Sequence, residues 1–401
     1  MELLYLLAMF AAIVLVIWLK QPLYLAMLAG ILTGALLFRV PVSAFGGILL
    51  RGVTGRDTLM MLLAFYTITY LQRMLESRGR LIQAERALAA LTGSRRANAM
   101  LTPFVVGMLP SVGAVLIAAP IVDRIAGEEL DREERTFVSS FYRHISEAFL
   151  PTYSNILLAL QLSGQSPLRF VLLMLPMVAL LFALGYWLYV RKLGKTGEAA
   201  ARGAERRKAF RELVASLWTV LLVVVLIMFI RAPVFLVVVG VIALNAVLER
   251  FPPRQLLGFA AKAFETRLMV NTVLIMVFKE VLLHTGALGS LPNAFSALPV
   301  PVEWSYSLVM LLGTVIAGTQ AMVAILIPIA FAGAQAGMPL LILLMCMGYI
   351  AAQVSPTHIC LSVVTERYGT TLASLVRKTL PVMLAFLLAC AGYFYMLKLI
   401  F

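Results

Sequence analysis

One pattern runs through this chain twice, and the two copies carry different loop charges. Lys20, Pro22, Pro41 and Gly47 recur 211 residues on as Arg231, Pro233, Pro252 and Gly258. Asp57-Thr58, Ser111 and Pro120 recur 208 on as Glu265-Thr266, Thr319 and Pro328. Pro151-Thr152, Gly164 and Pro176 recur 205 on as Pro356-Thr357, Gly369 and Pro381. Residues 73–135 hold nine arginines, whereas the matching 281–343 hold no Lys or Arg. Positive loops mark the cytoplasmic side of a membrane. Two alike halves with reversed charge bias therefore predict inverted-topology repeats, at 1–190 and 213–401, joined by a basic cytoplasmic linker at 191–212.

Membrane residence follows from composition. At 62% hydrophobic and 13% charged residues, the chain has too little polar surface for a soluble protein of this length. Leu3 to Leu19 has no basic stretch before it and Lys20 after it, which predicts a retained outside-to-inside span and not a secretory signal. The net charge of +14 does not point to nucleic acid, because the bases sit in short loops with no basic-aromatic motif. Eight Lys/Arg between Arg191 and Arg211 suit the linker and an anionic lipid surface. Cys346, Cys360 and Cys390 all lie in apolar stretches, so no disulfide framework is implied.

Apolar runs predict first-half spans near 3–19, 22–38, 57–75 and 168–190, and second-half spans near 213–230, 234–248, 266–283 and 376–397. Each half also has two interrupted segments: 99–125 and 136–163, then 305–331 and 340–367. Pro110 and Gly113 turn 99–125 into a re-entrant hairpin and not a straight helix. Five crossings per half is odd, which inverts the second copy and leaves both termini outside. The basic loops 73–96, 191–211, 250–267 and 367–378 then fall inside, while Arg39, Arg51 and Arg56 fall outside, against the trend.

Non-helical backbone at membrane depth is tolerated where it lines a cavity or is buried in protein. Four such breaks form two pairs. The hairpin tips offer Ser111, Val112 and Gly113, then Gly318, Thr319 and Gln320. The broken helices offer Thr152, Ser154 and Asn155, then Ser355, Thr357 and His358. Half-helix N-termini attract anions, and unwound carbonyls and small hydroxyls hold cations such as Na⁺. Ionisable residues in spans are functional candidates; Glu147 and His144, placed on one helix face before Pro151, are candidates for carrying a coupling proton. Lys279-Glu280 suit a structural role near an outer helix end. Three scattered ligands (His144, Glu147 and His358) make a weak zinc signal, so no metal is assigned. No nucleophile-base pair or phosphate cradle marks an enzyme.

Odd-crossing halves, each with a hairpin followed by a broken helix, resemble the ion transporter superfamily of divalent-anion/Na⁺ symporters, gluconate permeases, and citrate and arsenite carriers. Arg143-His144-Ile145, Pro151, Asn155-Ile156-Leu157-Leu158-Ala159 and Ser355-Pro356-Thr357-His358-Ile359-Cys360-Leu361 resemble an uncharacterised integral membrane branch of it. The resemblance implies an elevator mechanism and a homodimer. The Ser-Asn-Thr tips of the dicarboxylate carriers are missing, so their specificity and Na⁺ sites do not carry over. The expectation is an all-α polytopic protein of the prokaryotic inner membrane. It would be a secondary active transporter of a small, anionic solute such as a carboxylate, coupled to Na⁺ or H⁺ and needing no other cofactor. The alternative is a cation/proton antiporter or metal-ion exporter using Glu147.

Overall fold

The computed structural model describes residues 2–19, 21–108, 114–194, 202–230, 232–286, 300–332, 336–356 and 358–401. Among them the chain is helical, with no strand. Three described helices are long and apolar enough to cross a membrane, namely Pro167–Leu188, Gly203–Phe229 and Leu372–Ile400. Shorter apolar helices include Leu23–Leu37, Val234–Leu248, Val302–Ala317 and Met338–Ala352. Helices Glu2–Trp18, Arg56–Ser77 and Thr266–His284 fall on predicted apolar runs. Gly203–Phe229 starts earlier than the predicted 213, so the last bases of the expected linker, Arg206 to Arg211, ride on its first turns.

Among the described residues, helices that escaped the sequence reading include Val42–Thr54 and Pro253–Ala263. Both mix apolar with charged or small residues, so neither makes an apolar run. Each follows a proline at its N-cap, Pro41 or Pro252. The preceding helices close alike: Arg39 (φ 52°) and Arg250 (φ 51°) take the left-handed conformation. Val40 and Phe251 then donate back to the carbonyls of Ala35 and Ala246, the Schellman pattern that satisfies terminal carbonyls. Val42–Thr54 lies close on Thr266–His284, where a Cβ on Gly52 would stand 2.7 Å from the Val277 Cα.

Helices Arg95–Gly107 and Ala114–Ala126 pack side by side as a hairpin. Its open end is closed by Arg95, which donates to the Ile125 carbonyl (2.9 Å) and pairs with Glu129. Arg96 ties this end to the end of Pro167–Leu188 through the carbonyls of Leu193 (2.6 Å) and Arg191 (2.7 Å). The second hairpin, Val302–Ala317 and Thr319–Ala330, is tied to the C-terminal end of Leu372–Ile400. Glu303 pairs there with Lys398 (2.6 Å), and the Trp304 indole donates to the Tyr395 hydroxyl (2.8 Å).

Those two anchoring helices run antiparallel. Tyr189 donates to the Lys378 carbonyl and Tyr393 to the Leu173 carbonyl, both at 2.7 Å. The hairpins thus enter from opposite ends of the bundle. Lys378 and Lys398, which mark those ends, stand about 30 Å apart along one helix at ~1.5 Å per residue. Between them lies Met338–Ala352, buried at every position except Pro339, as expected of a helix apolar on all sides.

Candidate functional site

The first broken helix begins at an Asp131/Glu134 capping box and runs Arg132–His144. A 3₁₀ turn, Ile145–Ala148, follows, and helix resumes at Ser154–Ser163. The interruption therefore starts at Ile145 and not at Pro151, and Glu147 leaves the helix on which the sequence placed it. The cause is the adjoining hairpin arm, whose carbonyls draw side chains from the break. Ser146 donates to the Phe104 carbonyl (3.2 Å) and Tyr153 to that of Gly107. Gly107 makes this approach possible, because a Cβ there would stand 2.1 Å from the Arg143 carbonyl oxygen.

The second broken helix repeats the arrangement. Met338–Ala352 gives way to Gln353-Val354-Ser355-Pro356, and helix resumes at Ile359–Tyr368. Ser355 donates to the Val315 carbonyl of the second hairpin (2.8 Å). That hairpin turns at Gly318, whose φ of 84° and ψ of 157° suit glycine alone.

The two breaks meet in a cluster of ionisable side chains. Arg143 Nη1 lies 3.4 Å from Glu147 Oε1 and 2.7 Å from His144 Nε2. His144 Nδ1 lies 2.6 Å from the Ser140 carbonyl oxygen. Across the junction, His358 Nε2 lies 3.8 Å from Glu147 Oε2, and the His144 and His358 rings meet edge to face at 4.8 Å. His358 Nδ1 faces the Ala352 carbonyl at 3.1 Å. Guanidinium nitrogens only donate, so His144 Nε2 must accept and its Nδ1–H must donate to Ser140. His144 is thereby held as one neutral tautomer. Arg143 and His144 side chains are 2% and 0% exposed, whereas Glu147 and His358 are each 18% exposed.

His144, His358 and Cys360 could each turn a ligand atom to a common point, all within 4.8 Å of one another. This set does not suit a divalent cation. The Arg143 guanidinium already bonds the His144 donor, and a metal would bring two more positive charges into a buried site beside it.

Other expected residues lie around this junction. Thr152 is buried with its hydroxyl unpartnered, beside a small void lined by Gln72, Met108 and Val220. Ser154 and Asn155 open helix Ser154–Ser163, against which Thr319–Ala330 packs. Thr319 lies near Gly348, and Gln320 keeps a buried amide nitrogen unpartnered. Ala114–Ala126 packs in turn on Ile359–Tyr368, so each hairpin's second arm touches the opposite broken helix. Ser111, Val112, Gly113 and Thr357 lie outside the described residues. Arg143, four residues from Glu147 and weighed only as its structural partner, and Cys360, two residues after His358, were not among the expected site residues. Lys279 and Glu280 pair with Asp57 (3.4 Å) and Arg51 (3.5 Å), which gives them a structural role away from the junction.

An all-helical bundle with several apolar helices, three of them long enough to cross a membrane, is consistent with an all-α polytopic protein. The chain belongs to the family described as protein of unknown function DUF401, whose profile matches residues 3–396. No protein of curated function matches the sequence.

Proposed function

We propose that this protein is a membrane-embedded secondary active transporter of a small anion, built from two inverted repeats and working by an elevator movement. The observation that carries this reading is the contact between Glu147 of the first break and His358 of the second, at the centre of a bundle entered by hairpins from opposite ends. Helix order supports the repeat. Leu23–Leu37 and Val234–Leu248 match in length and closure, and the left-handed Gly164 and Gly369 end equivalent helices. Tyr153 and Ser355 reach the carbonyls of Gly107 and Val315, which are 208 residues apart, as Ser111 and Thr319 are. In an elevator, the hairpins and broken helices would move as one body against the remaining helices, by analogy with the ion transporter superfamily.

An anion is favoured by the charges at the junction. The helix starts at Ser154, Thr319 and Ile359 present unsatisfied N–H groups. Glu147 is the cluster's one carboxylate, and Arg143 offsets it. The half-buried Glu147 oxygen facing His358 favours, as a second reading, a cation/proton antiporter using Glu147; cation-evoked proton flux in inverted vesicles would establish it.

The test is a panel of small carboxylates and inorganic anions screened for thermal stabilisation of the detergent-purified protein. A solute at 100 times its Kd stabilises by about 2.7 kcal/mol. Stabilising solutes are then offered to proteoliposomes under Na⁺ or pH gradients. Accumulation driven by one gradient is expected. If no solute stabilises the protein and none accumulates, the transporter reading fails.

A further inference from the structure

We infer that the coupling ion is a proton, and that its carrier is the pair formed by Glu147 Oε2 and His358 Nε2 across the junction of the two breaks. The inference rests on the transporter reading and names its driving ion. It starts from the hydrogen-bond inventory of the cluster. His144 has no free nitrogen: Nε2 accepts from Arg143 at 2.7 Å and Nδ1 donates to Ser140. Protonating it would break the first bond and set two cations in contact. Arg143 keeps its charge at any accessible pH. His358 Nδ1 is committed to the Ala352 carbonyl, and Nε2 faces Glu147 Oε2 at 3.8 Å. These two side chains are also the partly exposed members of the set, at 18% each, so water can deliver and remove the proton.

Among the described residues, three further groups face the pair, and each is neutral. Tyr153 follows the first break and bonds the Gly107 carbonyl. Tyr349, on Met338–Ala352, is a buried phenol. Cys360, on Ile359–Tyr368, is a buried thiol that also hydrogen-bonds His358. The fixed guanidinium of Arg143 already sets a cation beside Glu147 and His144, which disfavours a Na⁺ at that carboxylate.

The charge count gives the pair its role. Arg143 contributes +1, Glu147 −1 and His144 zero, so the cluster is neutral until a proton taken from water onto His358 Nε2 makes it +1. One added charge roughly 6 Å from a bound anion, at an effective dielectric of ~20, tightens binding about 100-fold. Proton loading would thus favour anion binding, and returning the proton to water on the other side would favour release. The pair also joins the two halves, so its protonation tunes the attraction between them.

The chain has three histidines, His144, His284 and His358, which makes an imidazole titration readable residue by residue. The experiment is nitrogen NMR of imidazole-labelled full-length protein in lipid nanodiscs from about pH 5 to about pH 9, assigned with His144→Gln and His358→Gln. The expected result is a single Nδ1–H tautomer for His144 throughout and a protonation transition for His358. Glu147→Gln should move that transition to lower pH, lowering proton affinity about tenfold or more. A titrating His144, a His358 that does not titrate, or a His358 transition indifferent to Glu147→Gln would each overturn the inference. The wild-type titration stands even if a variant fails to fold. Na⁺-driven uptake with a silent His358 would keep the transporter reading and discard the proton pair. A titrating pair without any solute flux would do the reverse.

Discussion

Gly107→Ala tests the packing on which the first break depends. Judged by helix propensity, alanine for glycine inside a helix should stabilise by about 1 kcal/mol. Gly240, in Val234–Leu248, shows that case, since nothing lies within 4 Å of an added Cβ. At Gly107 the same Cβ would stand 2.1 Å from the Arg143 carbonyl oxygen and 2.9 Å from its carbon. Both are backbone atoms, so no side chain can swing aside, and the hairpin arm must retreat roughly 1 Å to reach ordinary contact. Overpacking of this kind costs typically 1–3 kcal/mol. The retreat would also stretch the Tyr153 and Ser146 bonds to the same arm, worth about 1 kcal/mol each. Set against the propensity gain, Gly107→Ala should destabilise by about 2–4 kcal/mol while Gly240→Ala stabilises. Thermal unfolding of both in one detergent reads opposite shifts, of about 2–4 °C per kcal/mol. A Gly107→Ala protein as stable as Gly240→Ala would refute the close approach and with it the account of why the helix stops at His144.

Arg143→Met leaves Glu147 half-buried without its guanidinium and should cost about 3–5 kcal/mol, with much of the loss recovered in Arg143→Met/Glu147→Gln; equal stability of the single and double variants would show the pair to be uncoupled. Arg39→Gly and Arg250→Gly each relieve a left-handed backbone at an exposed position and should raise stability by up to about 1 kcal/mol in thermal unfolding. At the end of the bundle, the Gly194 N–H (2.6 Å) and then Arg95 hold the Glu129 carboxyl below the usual carboxylate range. That tether is present above about pH 4 and is lost as pH falls through the lowered value. Hydrogen exchange at Gly194 should accelerate below that range, and Glu129→Ala should exchange fast at neutral pH too.

The long apolar helices were legible because each apolar run is dictated locally, as in Val234–Leu248. Val42–Thr54 and Pro253–Ala263 were not, since their short mixed faces give no apolar run; the doubled Pro41/Pro252 pattern was their one visible trace. The breaks were legible as places but not as geometry. Proline marked them, yet the stopping point is set by a hairpin some 40 residues earlier in the chain, through Gly107 and Ser146. The partners of Glu147 show the same division. Arg143 lies four residues away and was within reach of sequence reasoning. His358, 211 residues on, comes into place through the tertiary packing, and no spacing rule would have put it 3.8 Å away.

At the proposed repeat offset of 205 residues, chemistry departs from the proposed symmetry in an ordered way. His144 corresponds to Tyr349 and Tyr153 to His358, so each equivalent pair has one imidazole and one phenol. Arg143 corresponds to Gly348 and Glu147 to Ala352, so both fixed charges sit in the first copy. Packing compensates. In the first copy the hairpin supplies the glycine, Gly107, against the Arg143 backbone; in the second the broken helix supplies it, Gly348, where a Cβ would stand 2.7 Å from Met310 and 3.3 Å from Thr319 of the hairpin. Both hairpins thus reach their broken helices by the loss of one side chain, but from opposite partners. The first copy keeps room on its broken helix for a guanidinium; the second puts its bulk on the hairpin and leaves His358 to approach the charge. A strictly symmetric junction would set like charges face to face, whereas this one sets one carboxylate between an arginine and an imidazole.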